Sequence, residues 1–439
     1  MDTTIAALMF PAMFILIFLG IPVSFSLIIP AAIAGLYSFG PLIVEQLYGS
    51  LYTAATNYIL SAIPMFVLMG AVLERSGIAS RLFNAMQVWL SNLPGGLAIA
   101  TIAMGATFAA AAGVVGAVEI MVGMMAIPAM QRARYNNSLI AGTICAGGSL
   151  GTMIPPSVVA VVYASLAQVS VGELFAAMLF PGLVMVVLFI GYILLVTIMK
   201  PEMAPRLASK SSQLTTSEKL HVTLSGLVPT LLLIIAVLGS LMSGIASPTE
   251  AAAVGAIGAL ILCFFYKSFT IQVIRESLEI TVRISSMILL IVAAGTMFTG
   301  IFSANGGSRL IQGLINDFDL GITWTLVAFL VVVFILGFVL DWTANVLICV
   351  PLFLPFIIAS NVDPIWFGTL VIIVIQTSYL TPPMASSIFY LLSIAPPDMK
   401  YVDICKGVIP FIVMQFITLA IVALFPELAT WLPQQIVGF

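Results

Sequence analysis

The chain contains 439 residues, of which 62% are hydrophobic and 7% are charged, and its formal net charge is −3. Soluble domains carry about 25% charged residues, so this composition excludes a globule surrounded by water. Apolar runs near the ~20 residues needed to cross a bilayer recur along the whole chain. The sequence therefore predicts an all-α polytopic membrane protein. It contains no cluster of basic residues of the kind that binds nucleic acid.

The apolar segments form two sets of six, separated by a polar linker at 200–222. The first set lies within residues 1–199 and the second within residues 223–439, which we interpret as two domains joined by a cytoplasmic linker. In chain order the segments are 5–19, 23–39, 51–73, 96–130, 138–166, 175–199, 223–243, 249–266, 284–304, 322–360, 365–392 and 407–432.

Short sequence matches relate the two halves at a nearly constant offset of 226 to 228 residues. The matches are Ser80-Arg81-Leu82 with Ser308-Arg309-Leu310, Pro155-Pro156 with Pro382-Pro383, Pro128 with Pro355, and Pro22 with Pro248. Matches that occur in the same order at one offset indicate an internal repeat. The sequence therefore predicts two repeats of the same helical unit.

Segments 96–130 and 322–360 are too long for one membrane span and too short for two spans with a loop. Each has a weak centre, at 109–116 in the first and 341–345 in the second. We expect each to be a re-entrant helical hairpin that enters and leaves the membrane on one side. A kinked pair of tight spans is the alternative.

The distribution of basic residues supports ten spans plus two re-entrant hairpins. With residues 74–95 in the cytoplasm, every lysine and arginine except Arg309 falls on the cytoplasmic side. This agrees with the excess of lysine and arginine that short cytoplasmic loops of membrane proteins carry. This topology places both termini in the periplasm. Because five crossings per half is an odd number, the two repeats are predicted to have inverted topology.

Two segments carry the sequence pattern of a broken helix. Residues 145–157 combine a glycine cluster with Pro155-Pro156, and residues 376–387 combine hydroxyl side chains with Pro382-Pro383. Proline interrupts a helix, and freed backbone groups inside a membrane must face protein, water or ions. Inverted repeats with broken helices are typical of secondary transporters that bind substrate near the bilayer midplane. A purely structural kink is the alternative at each break.

Acidic residues inside apolar segments are further candidates, because a charge there is costly and needs a partner. Asp341, with Asn345 one turn on, suits either a cation site or a cap of the hairpin tip, and Glu119 can be functional or structural. Glu250 follows Ser247-Pro248-Thr249, an ordinary helix start, so we interpret it as a cap. We expect the cysteines to be buried apolar residues and His221 to have no functional role.

Several motifs resemble those of one transporter family. They are Ser247-Pro248-Thr249-Glu250-Ala251-Ala252, Ile154-Pro155-Pro156-Ser157, Thr381-Pro382-Pro383, Asp363-Pro364 and the Pro351/Pro355 pair. Over essentially the whole chain, the sequence resembles the large membrane subunit (the M, or DctM-like, subunit) of tripartite ATP-independent periplasmic (TRAP) transporters.

This resemblance implies a function and a set of partners. The large subunit of that family works in the bacterial inner membrane with a small four-helix membrane subunit (Q) and a periplasmic substrate-binding protein (P). It couples the symport of small organic acids to Na⁺, uses no organic cofactor, and moves a transport domain in an elevator-type cycle. We therefore expect no enzymatic activity.

The resemblance also implies sites, in which each hairpin tip pairs with the break that follows it. The first sodium site is expected at Gly113, Gly116, Gly148, Ser149, Gly151 and Pro155. The second is expected at Gly337, Asp341, Asn345, Gln376, Thr377 and Thr381. Substrate is expected at Thr152, Ser157, Thr343 and Ser378. Many relatives have a serine-rich first tip, whereas residues 109–116 here lack a hydroxyl.

Other functions are less consistent with the sequence. A self-sufficient carrier of the same wider architecture, with no receptor or small subunit, is the main alternative. A channel needs a continuous polar lining, whereas the polar residues here gather at two breaks. A membrane-embedded enzyme is disfavoured because the sequence has no H-E-x-x-H or G-x-S-x-G motif.

Overall fold

The computed structural model describes residues 3–90, 93–112, 115–205, 215–317, 321–382 and 385–436, and all the secondary structure within these ranges is helical. The helices of the first half are α1 (Thr4–Phe18), α2 (Val23–Phe39), α3 (Ile43–Ala55), α4 (Ala62–Arg75), α5 (Ile78–Leu90), α6 (Gly96–Ala112), α7 (Val115–Arg132), α8 (Asn137–Ser149), α9 (Val158–Ala167) and α10 (Val171–Met199).

The second half begins within the predicted linker. Its helices are α11 (Thr216–Gly226), α12 (Val228–Met242), α13 (Pro248–Phe265), α14 (Ile271–Ala304), α15 (Gly307–Asp317), α16 (Ile322–Leu336), α17 (Trp342–Ala359), α18 (Pro364–Leu380), α19 (Ser386–Leu392), α20 (Tyr401–Leu424) and α21 (Glu427–Ile436). Short 3-10 turns lie at Gly40–Leu42, Ile59–Ser61, Leu150–Thr152 and Pro201–Met203.

The described helices have the lengths and surfaces of a membrane protein. Seven helical segments are long and apolar enough to cross a bilayer, and α4 with α5, bent by 68°, would make an eighth. Large apolar side chains such as Phe18, Tyr37 and Leu195 are more than half exposed, which suits contact with lipid rather than water. The predicted class, an all-α polytopic membrane protein, is confirmed.

Two predicted segments differ from the observed helices. Segment 51–73 is interrupted, because α3 ends at Ala55 and the Asn57 side chain accepts from the Ile59 N–H at 3.0 Å at the start of a new helical turn. The helix predicted at 284–304 begins at Ile271 instead. This extension is amphipathic rather than apolar, with the exposed pair Arg275 and Glu279 at i,i+4, so apolarity alone did not reveal it.

Each predicted hairpin is a pair of helices that fold back on each other. In the first, Thr101 of α6 lies 3.8 Å (Oγ1 to Sδ) from Met130 of α7. In the second, the rings of Phe329 and Phe353 stack with centroids 4.0 Å apart. In both pairs the contacting residues lie at similar distances on either side of the turn, as two antiparallel helices require.

Both predicted breaks interrupt their helices. After α8, a 3-10 turn and the cis Pro155–Pro156 bond precede α9. After α18, the chain leaves the helix at Thr381 and resumes as α19 at Ser386, with Pro383 outside the described residues. Two prolines in succession remove two backbone N–H donors and clash with the preceding turn, so the helix cannot continue.

The helix α8 crosses α20 unusually closely. A Cβ added at Gly142 would overlap the Gly407 carbonyl, and a Cβ at Gly407 would overlap the Ser138 carbonyl. Small residues allow helix backbones to approach in this way inside membranes, where packing rather than the hydrophobic effect holds helices together. This crossing fixes the first broken segment against the last long helix.

We expect Gly407→Ala to destabilise the protein, because the added methyl group must push α20 away from α8 and such overpacking costs about 1–3 kcal/mol. The matched control is Gly191→Ala on the exposed side of α10, where a Cβ would meet nothing within 4 Å. The measurement is the melting temperature of the purified variants at one fixed heating rate. Equal melting temperatures for the two variants would contradict the close crossing.

Candidate functional site

The second hairpin tip lies against the second break. A Cβ at Gly337 would overlap the Ser378 hydroxyl and come within 3.2 Å of Asn345 Nδ2. Asn345 is fully buried and donates to the Val333 carbonyl at 2.9 Å. The absence of a side chain at Gly337 thus lets the tip contact α18. These contacts bring together Gly337, Asn345 and Ser378, three of the residues predicted from the sequence.

Asp341 caps the inner helix of this hairpin. Its Oδ2 accepts from the Thr343 N–H at 3.2 Å and its Oδ1 accepts from the Ala344 N–H at 3.3 Å. Both carboxylate oxygens therefore satisfy N–H groups that the start of α17 leaves free. A carboxylate with two acceptor oxygens has further lone pairs, so capping does not preclude binding a cation.

The hydroxyl groups of the second break are available as acceptors. Thr377, Ser378 and Thr381 each donate to a carbonyl three or four residues earlier, at 2.7 to 2.8 Å. Donation leaves the oxygen lone pairs free. The buried Thr343 Oγ1 lies beside the Asp341 carboxylate and makes no hydrogen bond of good geometry within the described part of the chain.

The first hairpin meets α8 and α19. A Cβ at Gly148 would lie 2.7 Å from Glu119 Cβ, so the start of α7 touches the end of α8. Glu119 is fully buried, and its Oε1 accepts from the Ser387 hydroxyl at 2.6 Å. Gly116 packs against the Tyr390 ring. Gly113, also predicted to bind sodium, lies outside the described residues.

Two further residues of the predicted first sodium site, and two predicted to bind substrate, surround the break itself. Gly151 and Pro155 are buried beside it. The buried Thr152 hydroxyl donates to the Ser149 carbonyl at 3.0 Å, and the Ser157 hydroxyl donates to the Thr152 carbonyl at 2.7 Å. These bonds satisfy carbonyls that the interrupted helix leaves free.

A buried set of hydrogen bonds joins the two breaks, and we name Ser149, Gln376 and Gln415 the central knot. Ser149 Oγ donates to the Ala146 carbonyl at 2.8 Å and accepts from the amide nitrogens of Gln376 at 3.1 Å and Gln415 at 3.3 Å. The Ser149 hydroxyl is therefore fully engaged. Gln376 Oε1 and Gln415 Oε1 have no hydrogen-bond partner in the described ranges.

Some residues of this region escaped the sequence analysis as site residues. Ser387 and Tyr390 lie on α19, beyond the double proline, and Tyr379 stacks on Tyr390 with ring centroids 6.4 Å apart. Gln415 could have been recognised from the sequence, because a glutamine inside an apolar membrane span needs a hydrogen-bond partner. Tyr379 and Ser387 fall inside the predicted break at 376–387, but the contacts of Ser387 and Tyr390 with the first hairpin join positions far apart in the sequence and could not be inferred from it.

Other expectations concerned residues outside this region. Glu250 forms a capping box with Ser247, whose backbone N–H donates to Glu250 Oε2 at 2.8 Å, which agrees with its interpretation as a cap. Cys145, Cys263 and Cys349 are buried free thiols, and Cys405 is half-buried. The described residues contain no group of three or more His, Cys, Asp or Glu side chains that could hold a metal.

The donor set around the two breaks suits a hard monovalent cation. It consists of carboxylate, hydroxyl and amide oxygens together with the carbonyls of interrupted helices, the groups that coordinate Na⁺ in broken-helix transporters. Unpaired buried oxygens occur on Glu119, Thr343 and Gln376. The residues present therefore fit sodium, and helix starts beside them suit a carboxylate substrate.

Comparison with known proteins places this architecture among transporters. Residues 10–428 match the family model described as tripartite ATP-independent periplasmic transporter, DctM component. The chain is 31% identical over 396 residues to the C4-dicarboxylate TRAP transporter large permease protein DctM of Pseudomonas aeruginosa, covering 90% of this chain and 91% of that protein.

Two further similarities differ in what they show. The chain is 30% identical over 423 residues to the ectoine TRAP transporter large permease protein TeaC of Halomonas elongata, covering 95% of this chain and 96% of that protein. Among solved structures, the YdaH transporter of Alcanivorax borkumensis matches with a TM-score of 0.60 and 15% identity, covering 91% of this chain and 89% of that one. At that identity the likeness concerns the fold alone.

We expect Ser149→Ala to destabilise the protein, because it leaves two buried amide N–H donors without their acceptor, at about 1–3 kcal/mol for each. The matched control is Thr143→Val in the same helix, since the buried Thr143 hydroxyl donates only to the Leu139 carbonyl of its own helix. Melting temperatures measured without Na⁺ separate this structural effect from ion binding. A Ser149→Ala variant as stable as Thr143→Val would contradict the central knot.

Proposed function

The chain belongs to the DctM family of large permease subunits of tripartite ATP-independent periplasmic transporters, and from that premise we propose that it imports a small organic acid by Na⁺-coupled symport. The observation that carries this proposal is the pairing of hairpin tips with broken helices at Gly337–Ser378 and Glu119–Gly148. Freed helix ends and buried oxygens at such pairings can hold a cation beside a carboxylate.

The proposed architecture has two inverted repeats in the bacterial inner membrane. The helix bounds support the repeat, since α17 begins and ends 227 residues after α7 begins and ends, and α18 begins 227 residues after α8. Packing is also reciprocal, because α7 contacts α19 while α17 contacts α9. Ser149 and Gln376, which are 227 residues apart, bond to each other, as equivalent residues near a pseudo-twofold axis do.

The proposed topology has ten spans, two re-entrant hairpins and both termini in the periplasm. Its support is the bias of lysine and arginine toward one side. The proposed cycle is of the elevator type, in which the hairpins, breaks and α20 move against a scaffold that includes α4, α13 and α14. The tight α8–α20 crossing and the central knot support one rigid transport unit, since both tie together elements of that unit.

The proposed sodium sites keep the predicted pairing of tip and break. The second would be held by Asp341, Thr377 and Thr381 with Gly337, Asn345 and Gln376. The first would use backbone carbonyls at Gly113, Gly116, Gly148, Ser149, Gly151 and Pro155, because the Ser149 hydroxyl is engaged in the central knot. Substrate would lie between them, at Thr152, Ser157, Thr343 and Ser378.

The proposed partners are a small four-helix membrane subunit (Q) and a periplasmic substrate-binding protein (P). Transporters of this family are tripartite, which supports an assembly of three components. The related permeases carry different substrates by name, a C4-dicarboxylate and ectoine. Since both substrates carry a carboxylate, an organic acid is the class that these relatives share, and the receptor would choose among its members.

The experiment that tests this function is uptake into proteoliposomes containing the chain with its small subunit. We expect accumulation only with an inward Na⁺ gradient and with the substrate-loaded receptor present, because the receptor delivers substrate and sodium drives it. The control replaces Na⁺ by K⁺ at equal ionic strength. Uptake without the receptor would instead support the self-sufficient carrier.

A second prediction concerns Asp341. Asparagine is as good a helix cap as aspartate, so Asp341→Asn removes the charge and keeps the cap, and we expect the Na⁺ concentration for half-maximal uptake to rise about tenfold. Asp363→Asn is the matched control, since Asp363 caps the exposed start of α18 in the same way, at 2.8 Å from the Ile365 nitrogen. A Na⁺ titration unchanged by Asp341→Asn would remove Asp341 from the sodium site.

A further inference from the structure

Glu119 is a buried carboxyl group with one unsatisfied oxygen. Its side chain is 0% exposed, Oε1 accepts from the Ser387 hydroxyl at 2.6 Å, and the Cys145 thiol, a weak donor, lies beside the carboxyl group. Oε2 is buried and has no hydrogen-bond partner among the residues that the structure describes. An isolated carboxylate in such surroundings is strongly disfavoured, so the group must be neutralised either by a proton or by a bound cation.

The side chains around Glu119 are not basic. The cluster lies between α7, α8 and α19, and its neighbours are the Cys145 thiol, the Gly148 backbone and Ser387. The ion pairs found within the described ranges involve Glu74, Glu276 and Glu279 with arginines, and Glu119 takes part in none of them. Its charge is therefore not balanced by an arginine or lysine, as buried acidic residues usually are.

The approach of α8 to Glu119 depends on a glycine. A Cβ at position 148 would lie 2.7 Å from Glu119 Cβ and 3.0 Å from Glu119 Cγ. Gly148 thereby lets the Glu119 stem lie directly on the end of α8, where the helix begins to break. An unsatisfied carboxylate oxygen is a suitable ligand for a hard cation, and the end of the interrupted helix beside it can supply backbone carbonyls.

We propose that the Glu119 carboxylate is the anionic ligand of a monovalent-cation site enclosed by α7, α8 and α19, with Na⁺ as its occupant. Ser387 is a positioning residue that holds Oε1 and turns Oε2 toward the ion. The site takes its choice of ion from the proposed function. Glu119 differs from Asp341 in its hydrogen bonds. Both carboxylate oxygens of Asp341 accept from backbone N–H groups at the start of α17, whereas Oε2 of Glu119 accepts no hydrogen bond from the described residues.

The cation also accounts for the tolerance of a charge at this depth. A carboxylate and a monovalent cation form a neutral pair, and the pair costs less to bury than either ion alone.

The test is a Na⁺ titration of the melting temperature of the purified protein, with choline chloride keeping the ionic strength constant. Binding to the folded state raises stability in proportion to ln(1 + [Na⁺]/Kd). We expect Glu119→Gln to raise the half-stabilising Na⁺ concentration about tenfold or more. Without Na⁺, Glu119→Gln should be at least as stable as the wild type, because it removes an unbalanced buried charge.

The controls separate ligation from general damage. Glu173→Gln, at the start of α10 and away from the cluster, should leave the titration unchanged. Ser387→Ala should shift the half-stabilising concentration less than Glu119→Gln does, and Ser387→Thr should restore it. If Glu119→Gln does not fold, Ser387→Ala applies the same test, since it releases the carboxylate without removing it.

Two results would overturn the proposal. One is a Na⁺ titration that is the same in the wild type and in the variants. The other is a wild type that mild acid stabilises while Na⁺ does not, because a proton would then neutralise Glu119. Receptor-dependent uptake tests the proposed function separately. If uptake is independent of Na⁺ while Na⁺ binding depends on Glu119, the proposed symport is refuted but the proposed cation site is not.

Discussion

The need to satisfy every backbone polar group inside the bilayer governs this structure. Hydrocarbon offers no hydrogen bonds, so each break in a helix must find protein or ionic partners for the groups it frees. The chain breaks two helices with paired prolines and folds a hairpin onto each break. The Thr152 and Ser157 hydroxyls take over freed carbonyls, and Asp341 takes over the free N–H groups of α17. The buried polar residues around the two breaks are thus explained by the need to hydrogen-bond the backbone groups that the interrupted helices leave free.

Close packing between helices brings these hydrogen-bonding groups within reach of one another. Gly337 lets the second tip contact Ser378, and Gly142 with Gly407 lets α8 contact α20. In each place an added methyl group would force the two elements apart. The central knot adds a second kind of bond between the halves, because a serine from the first break holds glutamines from two helices of the second half. Steric and polar contacts therefore act on the same few helices.

The sequence revealed whatever depends on local composition. The apolar runs predicted the class of protein, and the double prolines predicted the two helix breaks. Ser247-Pro248-Thr249-Glu250 predicted a capped helix start, which the structure confirms. The start of α14 was missed because its first turns are amphipathic. Contacts between distant segments were beyond reach, and Ser387 with Glu119, 268 residues apart, is the main example. Nothing in either segment alone indicates that a hydroxyl on one will meet a carboxyl on the other.

The central knot has a consequence for how this protein can change over generations. One hydroxyl serves two amides, so replacing Ser149 alone removes the shared acceptor of Gln376 and Gln415 and leaves Gln376 with only the Met185 sulfur as a partner. Replacing either glutamine alone leaves the other bond to Ser149 intact. A stepwise route to an apolar version of the knot would therefore replace the glutamines before Ser149, because losing the serine first buries amide groups without their acceptor.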